Sequence, residues 1–292
     1  MATLVDIRTL VLASGIIAVV LCVYMFHVQL TRKTYPGFSL WTKGSLAAGA
    51  GLILIALRGV VPDLLSIVLS GALIFYYPLM IYRGLASFVG KRPGFWPDVI
   101  ILIVYTLVTS WFTYGQTNVA MRIAVISLIL CYYCLRSSLL AAGPVATLLG
   151  SRNWMLIAAL ASLAALFLAR GLANLLGLSH PTNFMASNNL QAVTFMFSLA
   201  GQIFSVTGLV SLNMQRLEQD LNLAQREVNL LSGLLPICAN CKRIRDDQGQ
   251  WHQVEAYIST RSEAKFSHGI CPQCLRELYP DVSGKILGES NK

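Results

Sequence analysis

The sequence predicts an all-α polytopic membrane protein of about seven transmembrane helices, followed by a coiled-coil helix and a small α+β module built around paired cysteines. Three observations carry this prediction. The 292-residue chain is 55% hydrophobic and only 12% charged, against roughly 25% charged residues in a soluble domain. Apolar residues from Val210 to Leu235 recur at alternating spacings of four and three, the period of a coiled-coil seam. Two Cys-x-x-Cys pairs, Cys238 with Cys241 and Cys271 with Cys274, flank residues 242–270. The predicted organisation is a transmembrane domain at 1–212, a coiled-coil helix at 213–235, a four-cysteine module at 236–281 and a flexible tail at 282–292.

A hydrocarbon core about 30 Å thick takes about 20 helical residues. Segments near that length run from Thr9 to Leu30, Gly44 to Val61, Leu64 to Tyr82, Pro97 to Tyr114, Val119 to Ala142, Trp154 to Leu176 and Leu190 to Leu212. Only Val61-Pro62-Asp63 separates the second from the third, which predicts a tight hairpin there. The first segment reads as a retained helix, because Asp6 and Arg8 precede it and Thr31-Arg32-Lys33 follows without a small-residue cleavage pattern. Ser45, Ala48, Gly49 and Gly51 give the second helix a small-residue face for close packing. Cys131 and Cys134 form a third Cys-x-x-Cys, read as two small packed side chains within an apolar helix.

The formal charge of +9 lies wholly in the membrane half. From Asn213 to Lys292, Lys and Arg balance Asp and Glu, so the tail lacks the positive excess that phosphate contacts require, which argues against nucleic acid as a partner. Arg32, Lys33, Lys43, Arg83, Lys91, Arg92, Arg136 and Arg152 fall on one side of the predicted topology, and Arg8, Arg58, Arg122 and Arg170 on the other. The richer side is expected to be cytoplasmic. That places the N-terminus outside and, after an odd number of crossings, the C-terminal module inside. The ionisable residues of the membrane half are read as interfacial anchors near segment ends. The polar outer loop from Gly177 to Asn189 is read as solvated, with ligand docking there as the alternative.

Val210, Met214, Leu217, Leu221, Ala224, Val228, Leu231 and Leu235 make the heptad stripe, with polar residues between them. A single helix cannot bury such a stripe unless it folds back on the bundle, so a second copy is the simplest partner: a homodimer. Gly233 and Pro236 end the helix before the first cysteine pair.

Each cysteine pair can present two sulfurs at one tight turn, so two pairs brought together make a four-thiolate site for structural Zn2+, with no open position for catalysis. Asp246-Asp247-Gln248-Gly249 predicts a hairpin turn, Val254 to Ser262 a short helix, and Cys271-Pro272 the opening of a last helical turn. His268 is expected to orient a cysteine or to pack beside Phe266. The expected core is Ile237, Ile244, Trp251, Val254, Tyr257, Ile258, Phe266, Ile270, Leu275, Leu278 and Tyr279, too small to be stable without a metal.

The order of knuckle, hairpin and helix resembles a treble-clef or zinc-ribbon module. The run LLPICAxCKxIRDDxGxW, followed by VExYI, FSHGICPxC and LYP, resembles a short C-terminal module of bacterial signalling proteins attached after sensor, PAS or receiver domains. The resemblance covers residues 234–280 and implies a role in prokaryotic signal transduction without catalytic activity. The expectation is a non-enzymatic sensor in the bacterial inner membrane, acting on a cytoplasmic protein partner. The alternatives are a constitutive anchor presenting the zinc module, and a membrane redox protein using the Cys-x-x-Cys thiols.

Overall fold

A bilayer offers no partner to free backbone N–H and C=O groups, so apolar stretches of this length fold as helices. The computed structural model describes residues 6–178, 184, 189–232 and 235–287. Among them are seven helices long and apolar enough to cross a membrane. They are α1 (Ile7–Thr31), α2 (Phe38–Ala56), α3 (Leu64–Phe88), α4 (Trp96–Gly115), α5 (Val119–Leu149), α6 (Trp154–Leu175) and α7 (Asn189–Ser232). The chain is a multi-pass membrane protein by this measure. It divides into two compact units, Met1–Leu221 and Asn222–Lys292.

In the first unit the main core cluster gathers Met25 and Val28 of α1, Trp41 of α2, Leu85 of α3, Leu156 of α6 and Leu209 of α7. Close approach is what the small residues permit. Ser45 and Ala48 are buried, and a Cβ on Gly51 would lie 2.8 Å from the Ser70 carbonyl oxygen. Gly37 caps α2 at φ 101°, and a Cβ there would collide with the backbone of Gly84. Gly84 in turn lies under the Trp41 indole, which donates to the Ile81 carbonyl at 3.3 Å.

Helix α4 is the least buried of the seven. Ile100, Ile103, Val104 and Leu107 are exposed along it, with Phe95 and Trp96 at one end and Trp111 and Tyr114 at the other. Aromatic pairs at both ends of an apolar face suit the two membrane interfaces.

Helices α2, α3 and α5 differ from expectation at their ends, α3 running on to Phe88 where Tyr82 was expected. Helix α2 starts at Phe38 and stops at Ala56, because Gly37 supplies the left-handed cap and the chain turns at Gly59, φ 86°. Helix α5 runs on to Leu149, past the expected end at Ala142. The turn Ala141–Val145 is π-helical around Pro144, and such a local adjustment accommodates the missing proline N–H without breaking a membrane helix.

The second unit contains the hairpin β1 (Ile244–Arg245) and β2 (Trp251–His252), paired antiparallel, and the helices α8 (Val254–Ser259), α9 (Pro272–Leu278) and α10 (Pro280–Ile286). Helix α10 occupies residues 280–286, part of which was expected as flexible tail. Among the described residues of this unit, Ile244 and Tyr257 are the buried apolar side chains. Ile237, Trp251, Phe266, Ile270, Leu278 and Tyr279, expected in the core, are exposed, because elements this short cannot enclose them.

Candidate metal centre and the docked helix

The first cysteine pair sits in a knuckle that the backbone closes on itself. The Cys238 N–H donates to the Arg243 carbonyl at 2.9 Å, and the Lys242 N–H to the Cys238 carbonyl at 3.0 Å. Lys242 takes a left-handed conformation, φ 61°, which completes the reversal. Flanking it, Ile237 bridges Ile244, and the Arg245 N–H donates to the Pro236 carbonyl at 2.9 Å. The turn aims N–H groups at sulfur: those of Cys241 and Asn240 hold the Cys238 thiol below its ordinary range.

The second pair repeats this device at a helix start. Cys271 is the N-cap of α9, with Pro272 at the first helical position where its missing N–H leaves no bond unmade. The Cys271 sulfur accepts from the Cys274 N–H at 3.4 Å, which lowers its pKa, while the hydrogen bond to Cys271 raises that of Cys274. In each pair one sulfur is thus shifted toward the thiolate, the form that binds metal. All four thiols are free, Cys238 partly covered and Cys241, Cys271 and Cys274 exposed. This donor set suits Zn2+, which favours thiolate sulfur. Each pair is assembled locally. Among the described residues, however, no three of His, Cys, Asp and Glu lie close enough together to hold a metal ion. His268 lines one open groove with Cys241, Arg243 and Phe266.

The hairpin between the pairs is held by Asp246. Its Oδ1 accepts from the N–H of Gln248 at 2.9 Å and of Gln250 at 2.8 Å, its Oδ2 meets His252 Nε2 at 2.6 Å, and Gly249 supplies φ 83°. The Gln250 N–H first, then His252 and the Gln248 N–H, keep this carboxyl below the usual carboxylate range. A depressed folded-state pKa stabilises the hairpin above the unfolded value, and that stabilisation is lost as pH falls through the folded value. The Gln248 and Gln250 amide resonances are therefore predicted to titrate together with a midpoint below about 3.9, the ordinary aspartate value. A midpoint at or above that value would contradict the bonding.

The coiled-coil expectation meets a different environment at its start. Helix α7 is continuous for 44 residues, through the membrane segment and on to Ser232, the residue before Gly233. Val210 and Met214, the first two stripe positions, pack into the core of the helix's own bundle. Its next turns are tied to three loops. Asn213 Oδ1 accepts from the Tyr35 N–H at 3.0 Å, and its Nδ2 donates to the Lys33 carbonyl at 3.1 Å. Arg216 donates to the Phe88 carbonyl at 2.7 Å and lies 4.6 Å from the Tyr35 ring centre. Gln219 donates to the Leu149 carbonyl at 2.5 Å. Asp220 accepts from Lys33 at 3.1 Å and from the Tyr35 hydroxyl. Burial, then this carboxylate, push the Tyr35 phenol up to about 12, so it stays protonated as a donor at neutral pH. Sequence reasoning missed these ties because Asn213, Arg216 and Asp220 fit equally well the polar face of a free coil. Leu221 and Leu223 beyond them are exposed, and the side chains of Val228 and Leu231 lie outside the described residues.

Of the other expected features, Cys134 is buried and Cys131 half-buried, packed beside Leu163 and Phe167. Ser179, His180, Pro181, Thr182, Asn183 and Asn188 of the polar outer loop lie outside the described residues. Compared with known protein families, curated proteins and solved structures, the chain matches none.

Proposed function

We propose that this chain is a non-enzymatic bacterial membrane signalling protein. Its bundle responds to a ligand or membrane state, and α7 passes the change to a cytoplasmic module held by structural Zn2+ on Cys238, Cys241, Cys271 and Cys274. The observation that carries this reading is the continuity of α7 together with its ties at Asn213, Arg216, Gln219 and Asp220. A shift of the loops at Lys33, Phe88 or Leu149 therefore acts on the helix that leads to the thiols. Transmission requires the stimulus to prefer one bundle state over the other. Eight basic residues on the loop side against four opposite support a cytoplasmic module in the inner membrane. A reducing cytoplasm also keeps four thiols available for metal. The stripe beyond the ties, beginning at exposed Leu221, supports a homodimer.

The test is zinc content per chain and oligomeric mass, measured in one detergent-purified sample. One zinc per chain in a dimer is the expected result; a zinc-free monomer would overturn both halves of the reading. The ties also favour a second reading, in which the bundle only anchors the module. Replacing the bundle by an unrelated dimeric membrane anchor separates the two, since an unchanged set of module-bound partners would favour the anchor.

A further inference from the structure

The four basic residues on the side opposite the loops described above are gathered at one end of the bundle. Arg58, Arg122 and Arg170 line a single cavity of about 160 Å³ among residues of α2, α3, α4, α5, α6 and α7, and Arg8 donates to the Arg58 carbonyl at 2.9 Å. Burial first, then the charge of Arg122, hold Arg58 below its ordinary pKa against the opposing charge of Asp63. Arg122 donates to the Thr113 hydroxyl at 3.2 Å, and Arg58 stacks 5.4 Å from the Phe184 ring centre. Arg170 is only 8% exposed, and its Nη2 has no hydrogen-bond partner among the described residues.

The chain has little with which to neutralise this cluster. Residues 1–212 contain three carboxylate side chains, Asp6, Asp63 and Asp98. Asp6 caps α1 through Thr9, and Asp98 is taken by Arg83 and Tyr133. Asp63 alone remains; its charge acts on Arg58 and Arg122, but it forms no ion pair within 4.0 Å among the described residues and does not act on Arg170. A buried guanidinium with a nitrogen left unpartnered is unfavourable, and in a membrane protein such a residue faces a partner or a pathway.

We propose that this cavity binds an amphiphilic anion, its head held by Arg170 with Arg58 and Arg122 and its apolar body laid along the walls. Ile67, Ile74, Ile123, Leu130, Phe167 and Phe195 make those walls. An apolar cavity of about 150 Å³ holds a benzene ring, so a benzoate-sized body fits this one. A second cavity of about 90 Å³ shares Ile74, Leu130, Phe167 and Ser198 and continues between Pro78, Leu160 and Leu163. That extension suits an alkyl tail, and a carboxylate of octanoate length is the ligand class the geometry favours. The inference does not depend on the zinc module or on whether the bundle senses.

The test uses the full chain in neutral detergent, titrated with benzoate and octanoate and followed by calorimetry and thermal unfolding. Octanol serves as the uncharged control. Octanoate is expected to raise the unfolding midpoint and octanol to leave it in place. Arg170→Leu is expected to unfold at a higher temperature than wild type without ligand, since it removes a buried charge with an unpartnered nitrogen, and to bind octanoate at least tenfold more weakly. Arg122→Gln should weaken binding as well, which covers failure of the first variant to fold. Octanoate acting no better than octanol, or binding Arg170→Leu as tightly as wild type, would overturn the site. In nanodiscs, phosphatidylglycerol that displaces octanoate in an Arg170-dependent way would assign the head to a lipid; octanoate binding unaffected by that lipid would assign it to a free acid.

Discussion

Replacing Cys271 by serine is expected to remove zinc from the chain and unfold residues 236–281 while leaving the seven-helix unit intact. Zinc binding in comparable small modules contributes on the order of 10 kcal/mol or more of folding free energy. The module's buried apolar side chains, Ile244 and Tyr257, supply roughly 1.5–3 kcal/mol each by burial. On the proposed four-thiolate assignment, the metal is therefore expected to outweigh the burial of these side chains in holding the unit folded. Cys271 also caps α9 and accepts the Cys274 N–H, so the substitution loosens the turn that presents the second pair. The measurement is zinc per chain by elemental analysis beside the amide spectrum of the module. Equal zinc in variant and wild type would refute the four-thiolate assignment. The double variant Cys131→Ala with Cys134→Ala is the control, expected to keep its zinc, because those thiols are packed within α5.

The second large effect is expected in the membrane half. Asp98 Oδ2 lies 2.5 Å from Arg83 Nη2 and 2.6 Å from Arg83 Nε, and its Oδ1 accepts from the Tyr133 hydroxyl at 2.6 Å. The pair is nearly enclosed, and it joins the start of α4 to α3 and α5. Asp98→Ala leaves a guanidinium and a buried hydroxyl without their acceptor, and breaking a buried pair from one side costs about 3–5 kcal/mol. Replacing both partners by apolar residues of similar volume costs far less, because no charge is stranded. Thermal unfolding in detergent should therefore rank Asp98→Ala well below the double variant Arg83→Met with Asp98→Leu. Equal midpoints for the two would show that the pair contributes through shape alone.

The parts of this fold legible in the sequence are those governed by short-range rules. Apolar length placed the membrane helices, because a span must satisfy its backbone internally. Asp246 and Gly249 marked the hairpin, because a side-chain acceptor and a positive φ are local requirements. The cysteine pairs were legible as pairs for the same reason, each being a single turn. The end of α5 was less legible: the expected stop at Ala142 is passed because a π turn at Ala141–Val145 carries the helix through Pro144. The heptad stripe misled at its beginning. Val210 and Met214 have the spacing of a seam, yet spacing does not say which neighbour fills it, and here the bundle does. The arginines were the least legible. Arg58, Arg122 and Arg170 sit far apart in the chain, each plausible as an interfacial anchor, and only the packing of six helices brings them to one cavity.

The ties on α7 also give that helix a defined phase. Asn213, Arg216, Gln219 and Asp220 choose which side of the rod faces the loops, and in the sequence the heptad stripe continues past them from Leu221. One residue inserted after Asp220 is expected to turn that stripe by about 100° relative to the tied face, and seven residues to bring it back almost into line. Output scored across such insertions should therefore oscillate with the helical period if the bundle drives the module by rotation, and vary smoothly with length if the rod serves only as a spacer.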